Sequence, residues 1–201
     1  MKLFFDIEAT GLPETISFGE FHPPELVQKY DTSRVIEIGI ILVKNGKTVE
    51  TYNSIIKPDN FTKLDKKITE LTGITDEMII KEGKDMKQVL KEIKPLFDKA
   101  TSINSYNIGY DKNVLLSELY RIHDRSFIKK IKDMQSECTY ELSKKILYLG
   151  SYKLEKVYKE LFKKNANQDH RAFNDAILCK DVYYKLKELY KIRQSSQQVH
   201  T

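Results

Sequence analysis

The chain has 201 residues, 40% hydrophobic and 31% charged, with 34 Lys and Arg against 29 Asp and Glu for a formal net charge of +5. That length suits one domain with one proper core, and no apolar run approaches the roughly 18 to 20 residues that a membrane span needs. The mild positive balance permits a polyanionic partner without requiring one. Cys138 and Cys179 are far apart and outside any C-x-x-C spacing, which excludes a disulfide scaffold and a structural zinc knuckle; both read as reduced, buried filler. Asp6 interrupts Met1-Lys2-Leu3-Phe4-Phe5 before a signal-peptide apolar region forms, so the expected location is intracellular and cytoplasmic.

A strand is predicted over residues 3–8, stopped by Gly11-Leu12-Pro13. Residues 14–33 show no sustained period and are expected to form a long loop, with at most one helical turn over residues 24–30. Residues 35–43 are a nearly continuous apolar run, Asn45-Gly46 suits a type I′ turn, and residues 48–56 resume an extended pattern, which together predict a hairpin. Helical periodicity follows over residues 68–72, 76–81 and 86–97, then a short strand over 101–106, a helix over 111–122 and a strand near 131–138. Residues 140–146, 154–162 and 172–192 are predicted helices. This order describes one α/β domain over residues 1–193, a mixed five-stranded sheet with helices on its faces, followed by a polar, frayed tail over 194–201.

Several acids stand where apolar residues are expected. Strand alternation puts Asp6 and Glu8 on one face beside Phe4, with Leu3, Phe5 and Ile7 on the other. Like charges about 7 Å apart on one face raise the cost of ionising both unless a cation or water relieves them. A lone D-x-E in a strand otherwise reads as a solvated acidic face. Stepping about 100° per residue from Ala172 sets Asp175 on the apolar stripe between Val182 and Leu186. Asp111 repeats the pattern among Val114, Leu115 and Ile122. Arg171, four residues before Asp175, offers a plain salt-bridge partner for one stray acid. Four inward acids without a matching set of inward bases point instead to an oxygen-lined site for a hard cation, Mg²⁺ or Mn²⁺. His170 serves such a site only from a loop just before the helix, in the stretch Asn167-Gln168-Asp169, with Asp169 or His170 as the N-cap.

Phe5-Asp6-Ile7-Glu8-Ala9-Thr10-Gly11-Leu12, Asn107-Ile108-Gly109-Tyr110-Asp111 and His170-Arg171-Ala172-Phe173-Asn174-Asp175 resemble, in order and spacing, the three motifs of the DEDDh (DnaQ-like) 3′→5′ exonucleases. The likeness spans about residues 2–186, includes Leu71-Thr72-Gly73-Ile74-Thr75, and extends to the Trex-like autonomous exonucleases. It implies a ribonuclease H-like fold, three antiparallel strands then two parallel, and release of nucleoside 5′-monophosphates from a free 3′ end. It implies two divalent cations on Asp6, Glu8, Asp111 and Asp175, and His170 as the general base that activates water. Ala9, Thr10, Gly11, Leu12, Asn107 and Tyr110 match positions around the terminal nucleotide, with Leu12 as an apolar wedge and Tyr110 as either a stacking ring or a core tyrosine. Tyr106 stands where many relatives have histidine, and the 14–33 loop is longer than in compact proofreading subunits. DNA is the favoured substrate. An RNA-directed exoribonuclease or oligoribonuclease, a noncatalytic nucleic-acid-binding module and a polymerase-associated subunit remain alternatives, a DNA polymerase being the partner in the last. Lys129, Lys130, Lys132, Lys144, Lys145, Lys153, Lys156, Lys159, Lys163 and Lys164 either track phosphates or form a solvated face.

Overall fold

The computed structural model describes residues 1–17, 19–166 and 169–198; Phe18, Asn167, Gln168 and residues 199–201 lie outside the described residues. The first strand, β1 (Lys2–Ala9), buries Leu3, Phe5 and Ile7 on one face and Phe4 on the other. The stretch expected to be a plain loop holds a small hairpin of β2 (Thr15–Ser17) and β3 (Glu20–Phe21), then a 3-10 turn over Val27–Tyr30. Strands of two or three residues are too short to show alternation, which is why the sequence reads as irregular there. β4 (Val35–Lys44) and β5 (Lys47–Lys57) meet through Asn45 and Gly46 at φ 52° and 77°, the two positive values that a type I′ turn demands.

Short capped helices follow. α1 (Lys66–Thr72) starts on Asp65, whose side chain accepts from Lys67 N, and stops at Gly73 with φ 68°. α2 (Asp76–Glu82) is capped by Thr75, β6 (Lys84–Asp85) is a two-residue strand, and α3 (Met86–Lys99) is capped by Asp85. β7 (Ser102–Ser105), α4 (Ile108–Arg121), α5 (Arg125–Asp133), β8 (Gln135–Cys138), α6 (Thr139–Ile146), α7 (Leu154–Phe162) and α8 (Ala172–Gln198) complete the order. Two expectations need correction. Residues 131–133 end α5, where Asp124 caps a helix that buries Phe127, Ile128 and Ile131, so the strand begins only at Gln135. Residues 194–198, expected as part of an irregular tail, are the end of α8, which carries on without a breaker.

The five strands expected lie in the order β5-β4-β1-β7-β8, with β6 added beyond β5 as a sixth. β1 is antiparallel to β4, and β4 to β5, whereas β1 to β7 and β7 to β8 are parallel. Leu3, Phe5 and Ile7 join Ile38, Ile40 and Leu42 under α3, α4 and α5, with Phe97 and Phe127 at the centre. On the opposite face Phe4, Ile41 and Val43 meet Ala176, Cys179 and Tyr183 of α8. Burying a phenylalanine such as Phe4 is worth about 2–3 kcal/mol, and its ring meets Tyr183 edge-on at 5.4 Å. Helix α8 therefore lies across the sheet face that carries the odd acids. Gly39 permits this approach, since a Cβ there would come 2.3 Å from Phe173 N.

Candidate active site

The site opens where β1 parts from one neighbour. β1 pairs with β4 as far as Ala9, but with β7 only from Lys2 to Phe4. The start of α4 occupies the gap. Ile7 N, no longer paired with β7, donates to Asp111 Oδ1 at 3.2 Å, and Ser105 Oγ donates to Asp111 Oδ2 at 2.7 Å. A carboxylate on the inner face of α4 thus closes a broken ladder, which gives Asp111 a structural task alongside any chemical one.

Asp6 and Glu8 project from β1 on the α8 side, and Asp175 descends from the first turn of α8. One carboxylate oxygen from each of these three residues lies within 4.8 Å of the others. Burial, reinforced by Asp111, Glu8 and Asp175, pushes Asp6 well above the usual carboxylate range. Burial and the charges of Asp175, Glu37 and Asp111 push Glu8 up to about 9, against the opposing pull of Arg171. Burial raises Asp111 to about 7 although its bonds from Ser105 and Ile7 work in the other direction. A group of carboxylates that resists ionising together and offers only oxygens is the donor set of a hard divalent cation, and the residues present fit one.

Arg171, the plain salt-bridge alternative for Asp175, pairs elsewhere. It grips Glu37 of β4 instead, Nε to Oε2 at 3.0 Å and Nη2 to Oε1 at 2.6 Å. Ala172 N also donates to Glu37 Oε2 at 2.9 Å. The helix start is capped from a distant strand, so the local caps expected of Asp169 or His170 are replaced; Asp169 instead accepts from Asn174 Nδ2. His170 does lie just before α8, with φ 51° and Nδ1 3.9 Å from Asp175 Oδ2.

These groups line one cleft of about 670 Å³ that includes Asp6, Glu8, Asn107, Tyr110, Asp111, His170 and Asp175. Its far wall is aromatic: Tyr106, Tyr140 and Tyr152 stand edge to face at 6.1 and 6.3 Å, next to Lys153. Tyr110 is half-buried, packs on Phe21 at 6.1 Å and bonds Gly11 O at 3.3 Å, so it joins the loop to the cleft rather than belonging to the core alone. Ala9, Thr10, Gly11 and Leu12 are not among the lining residues. Ala9 is buried, and Thr10 Oγ1 donates to Thr32 O and accepts from Arg34 N. Leu12 is 76% exposed beyond the strand end.

Arg34 and Arg121 fasten the loop's far end: Arg34 Nε donates to buried Glu118 at 2.7 Å, and Arg121 Nη2 to Asp31 at 2.7 Å. Of the lysines, Lys129, Lys144 and Lys163 pair with Asp133, Glu141 and Glu160, as on a solvated face, whereas Lys153 lines the cleft. Both cysteines are free, Cys179 buried and Cys138 half-buried. Sequence reasoning missed Glu37, Tyr140 and Tyr152, and placed Leu71 only within the segment shared with the resembled family. Glu37 had a signal, a single charge in the apolar run of β4; the tyrosines had none until the chain was folded.

The exonuclease family RNase_T matches residues 3–183. The chain is 27% identical over 186 residues to DNA polymerase III subunit epsilon of Aquifex aeolicus, covering 91% of this chain and 78% of that protein. It is 29% identical over 161 residues to the PolC-type DNA polymerase III of Thermotoga maritima, covering 78% of this chain and 11% of the polymerase. The chain thus spans about a tenth of the PolC-type relatives it matches. Among solved structures, E. coli exonuclease I with a dT13 oligonucleotide superposes with a TM-score of 0.70 at 20% identity, covering 98% of this chain and 42% of that one. The nuclease domain of 3′hExo, a DEDDh family member bound to rAMP, superposes with a TM-score of 0.65 at 17% identity, covering 94% and 92%. The ribonuclease H-like sheet, the four acids with their histidine and the family match over residues 3–183 make this chain a member of the DEDDh, DnaQ-like exonucleases.

Proposed function

We propose that the chain removes nucleotides from the 3′ end of nucleic acid, DNA in preference to RNA, releasing nucleoside 5′-monophosphates. The convergence of Asp6, Glu8 and Asp175 oxygens within 4.8 Å, with His170 beside Asp175, carries this reading. Asp6, Glu8 and Asp175, with Asp111 behind them, would hold two divalent cations, Mg²⁺ or Mn²⁺. When bound, such ions supply Lewis-acid stabilisation of the charge that develops on the scissile phosphate.

The chain's own groups account for the rest. His170 lines the cleft, where its imidazole would accept the proton of an attacking water. Asn107 and Tyr110 flank the acids and would position the terminal nucleotide, with Ala9 to Leu12 at the rim. The Tyr106, Tyr140 and Tyr152 wall offers ring faces and edges to bases without reading sequence. The polymerase III names of the relatives favour DNA and a polymerase partner; co-elution with a replicative polymerase tests the second point.

End-labelled single-stranded DNA, duplex DNA and RNA, digested side by side with Mn²⁺ and with excess EDTA, test the whole reading. Mononucleotides should appear from the 3′ end and only with the metal. Release from the 5′ end, or full turnover in EDTA, would overturn it.

A further inference from the structure

Glu37 bears a carboxylate that neither the cation set nor the proton transfer uses. It stands opposite Glu8 in the β1–β4 register and is fully buried. Three donors converge on it, two from the Arg171 guanidinium and one from Ala172 N, all from the two residues that follow His170. On the other flank, Asn174 Nδ2 holds both oxygens of Asp169 at 3.0 and 2.8 Å. His170 is strung between two anchored neighbours, in the left-handed region at φ 51°. A non-glycine residue adopts that backbone at a cost on the order of 1 kcal/mol or more and keeps it where its surroundings enforce it.

Asp175 has anchors of its own. Ala172, Ala176 and Cys179 are fully buried against the sheet, and Gly39 seats the backbone of Phe173. Loosening the Glu37 fork would therefore be felt first by the segment before the helix.

We infer that the Glu37–Arg171 fork is a positioning device for His170, fixing the backbone turn that sets its ring beside Asp175. This rests on the reading of His170 as general base. Glu37 touches neither substrate nor reacting atoms and acts through the histidine.

The test is a double-mutant cycle of Glu37→Gln and His170→Ala, reading kcat and KM on single-stranded DNA in saturating Mn²⁺, with Mn²⁺ affinity by calorimetry and thermal melts alongside. Glu37→Gln should lower kcat by roughly 10- to 100-fold, the cost of a misplaced group. KM and Mn²⁺ affinity should stay within about threefold, and in the His170→Ala background the same substitution should change kcat by less than about threefold. Arg171→Lys keeps the charge but cannot fork; it should reproduce the loss and replaces Glu37→Gln if that variant does not fold. Additive losses, unchanged kcat in a folded single variant, or a tenfold loss of Mn²⁺ affinity would overturn the inference. Additivity alongside an impaired His170→Ala rejects the positioning role alone, whereas an unimpaired His170→Ala rejects the general-base reading and the inference with it.

Discussion

Glu8→Gln measures the charge strain in the acid cluster. Without a cation, burial and the charges of Asp175, Glu37 and Asp111 push Glu8 from 4.5 up to about 9. The folded state then keeps a proton that the unfolded chain releases. This group's contribution to stability is complete below pH 4.5 and is lost as pH rises toward about 9. At about 1.4 kcal/mol per pH unit, the loss at pH 8 has a ceiling on the order of 5 kcal/mol. Glu8 is half-buried and open to the cleft, and screening reduces the expected loss to roughly 2 kcal/mol. Glutamine has nearly the same shape and no proton to gain. Urea unfolding in excess chelator should place the two proteins within about 0.5 kcal/mol at pH 5, with Glu8→Gln more stable by roughly 2 kcal/mol at pH 8. Saturating Mn²⁺ should reverse the order, because the wild type gains roughly 3 kcal/mol at a hundredfold excess over Kd and the variant gains less. Equal stabilities at both pH values in chelator, or a less stable variant at pH 8, would refute the reasoning.

Asp6→Ala and Asp175→Ala should each lower turnover by roughly 10³-fold or more, the several kcal/mol of charge stabilisation that a cation site supplies, with circular dichroism unchanged; a normal rate in either removes the site assignment. His170→Ala should lower kcat by roughly 10² to 10⁴-fold, and near wild-type turnover at neutral pH would show that the histidine is no base. Gly39→Ala should cost roughly 1–3 kcal/mol in thermal or denaturant unfolding, because α8 must lift off the strand; an unperturbed melt would mean that the helix start yields freely. Replacing residues 15–32 with a short turn should change the preference between single-stranded and duplex ends or between DNA and RNA while sparing hydrolysis of a dinucleotide. Equal losses on all substrates would assign that segment to folding.

What was legible in the sequence follows from where each signal lives. Asp6 and Glu8 betray themselves by strand period, and Asp111 and Asp175 by helical period, because an acid on an apolar face is a local anomaly that needs no partner to be seen. Glu37 is equally anomalous, but the period of two cannot say which face of β4 is covered by a helix 135 residues later. Its meaning depends on Arg171, for which sequence spacing offers only the nearby Asp175. The edge strand β6 and the β2–β3 hairpin are held by tertiary contact rather than by pattern, and α5 was hidden because Ile131 closes a helical stripe and also opens an extended-looking run. The aromatic wall joins residues from three segments, so only the folded chain shows it.

The broken pairing between β1 and β7 has a consequence for biosynthesis. The amide that it frees on Ile7 waits for Asp111, 104 residues downstream, and the helix bearing Asp175 docks through a contact spanning 135 residues. Synthesis proceeds from the N-terminus, so Asp6 and Glu8 emerge long before the residues that complete their cluster. A nascent or truncated chain ending before α8 would carry Asp6, Glu8 and Asp111 but lack Asp175, and it would lack the Ala172 N–H that helps hold Glu37. The cation set is therefore complete only once α8, the last of these elements to be synthesised, has docked on β1 and β4.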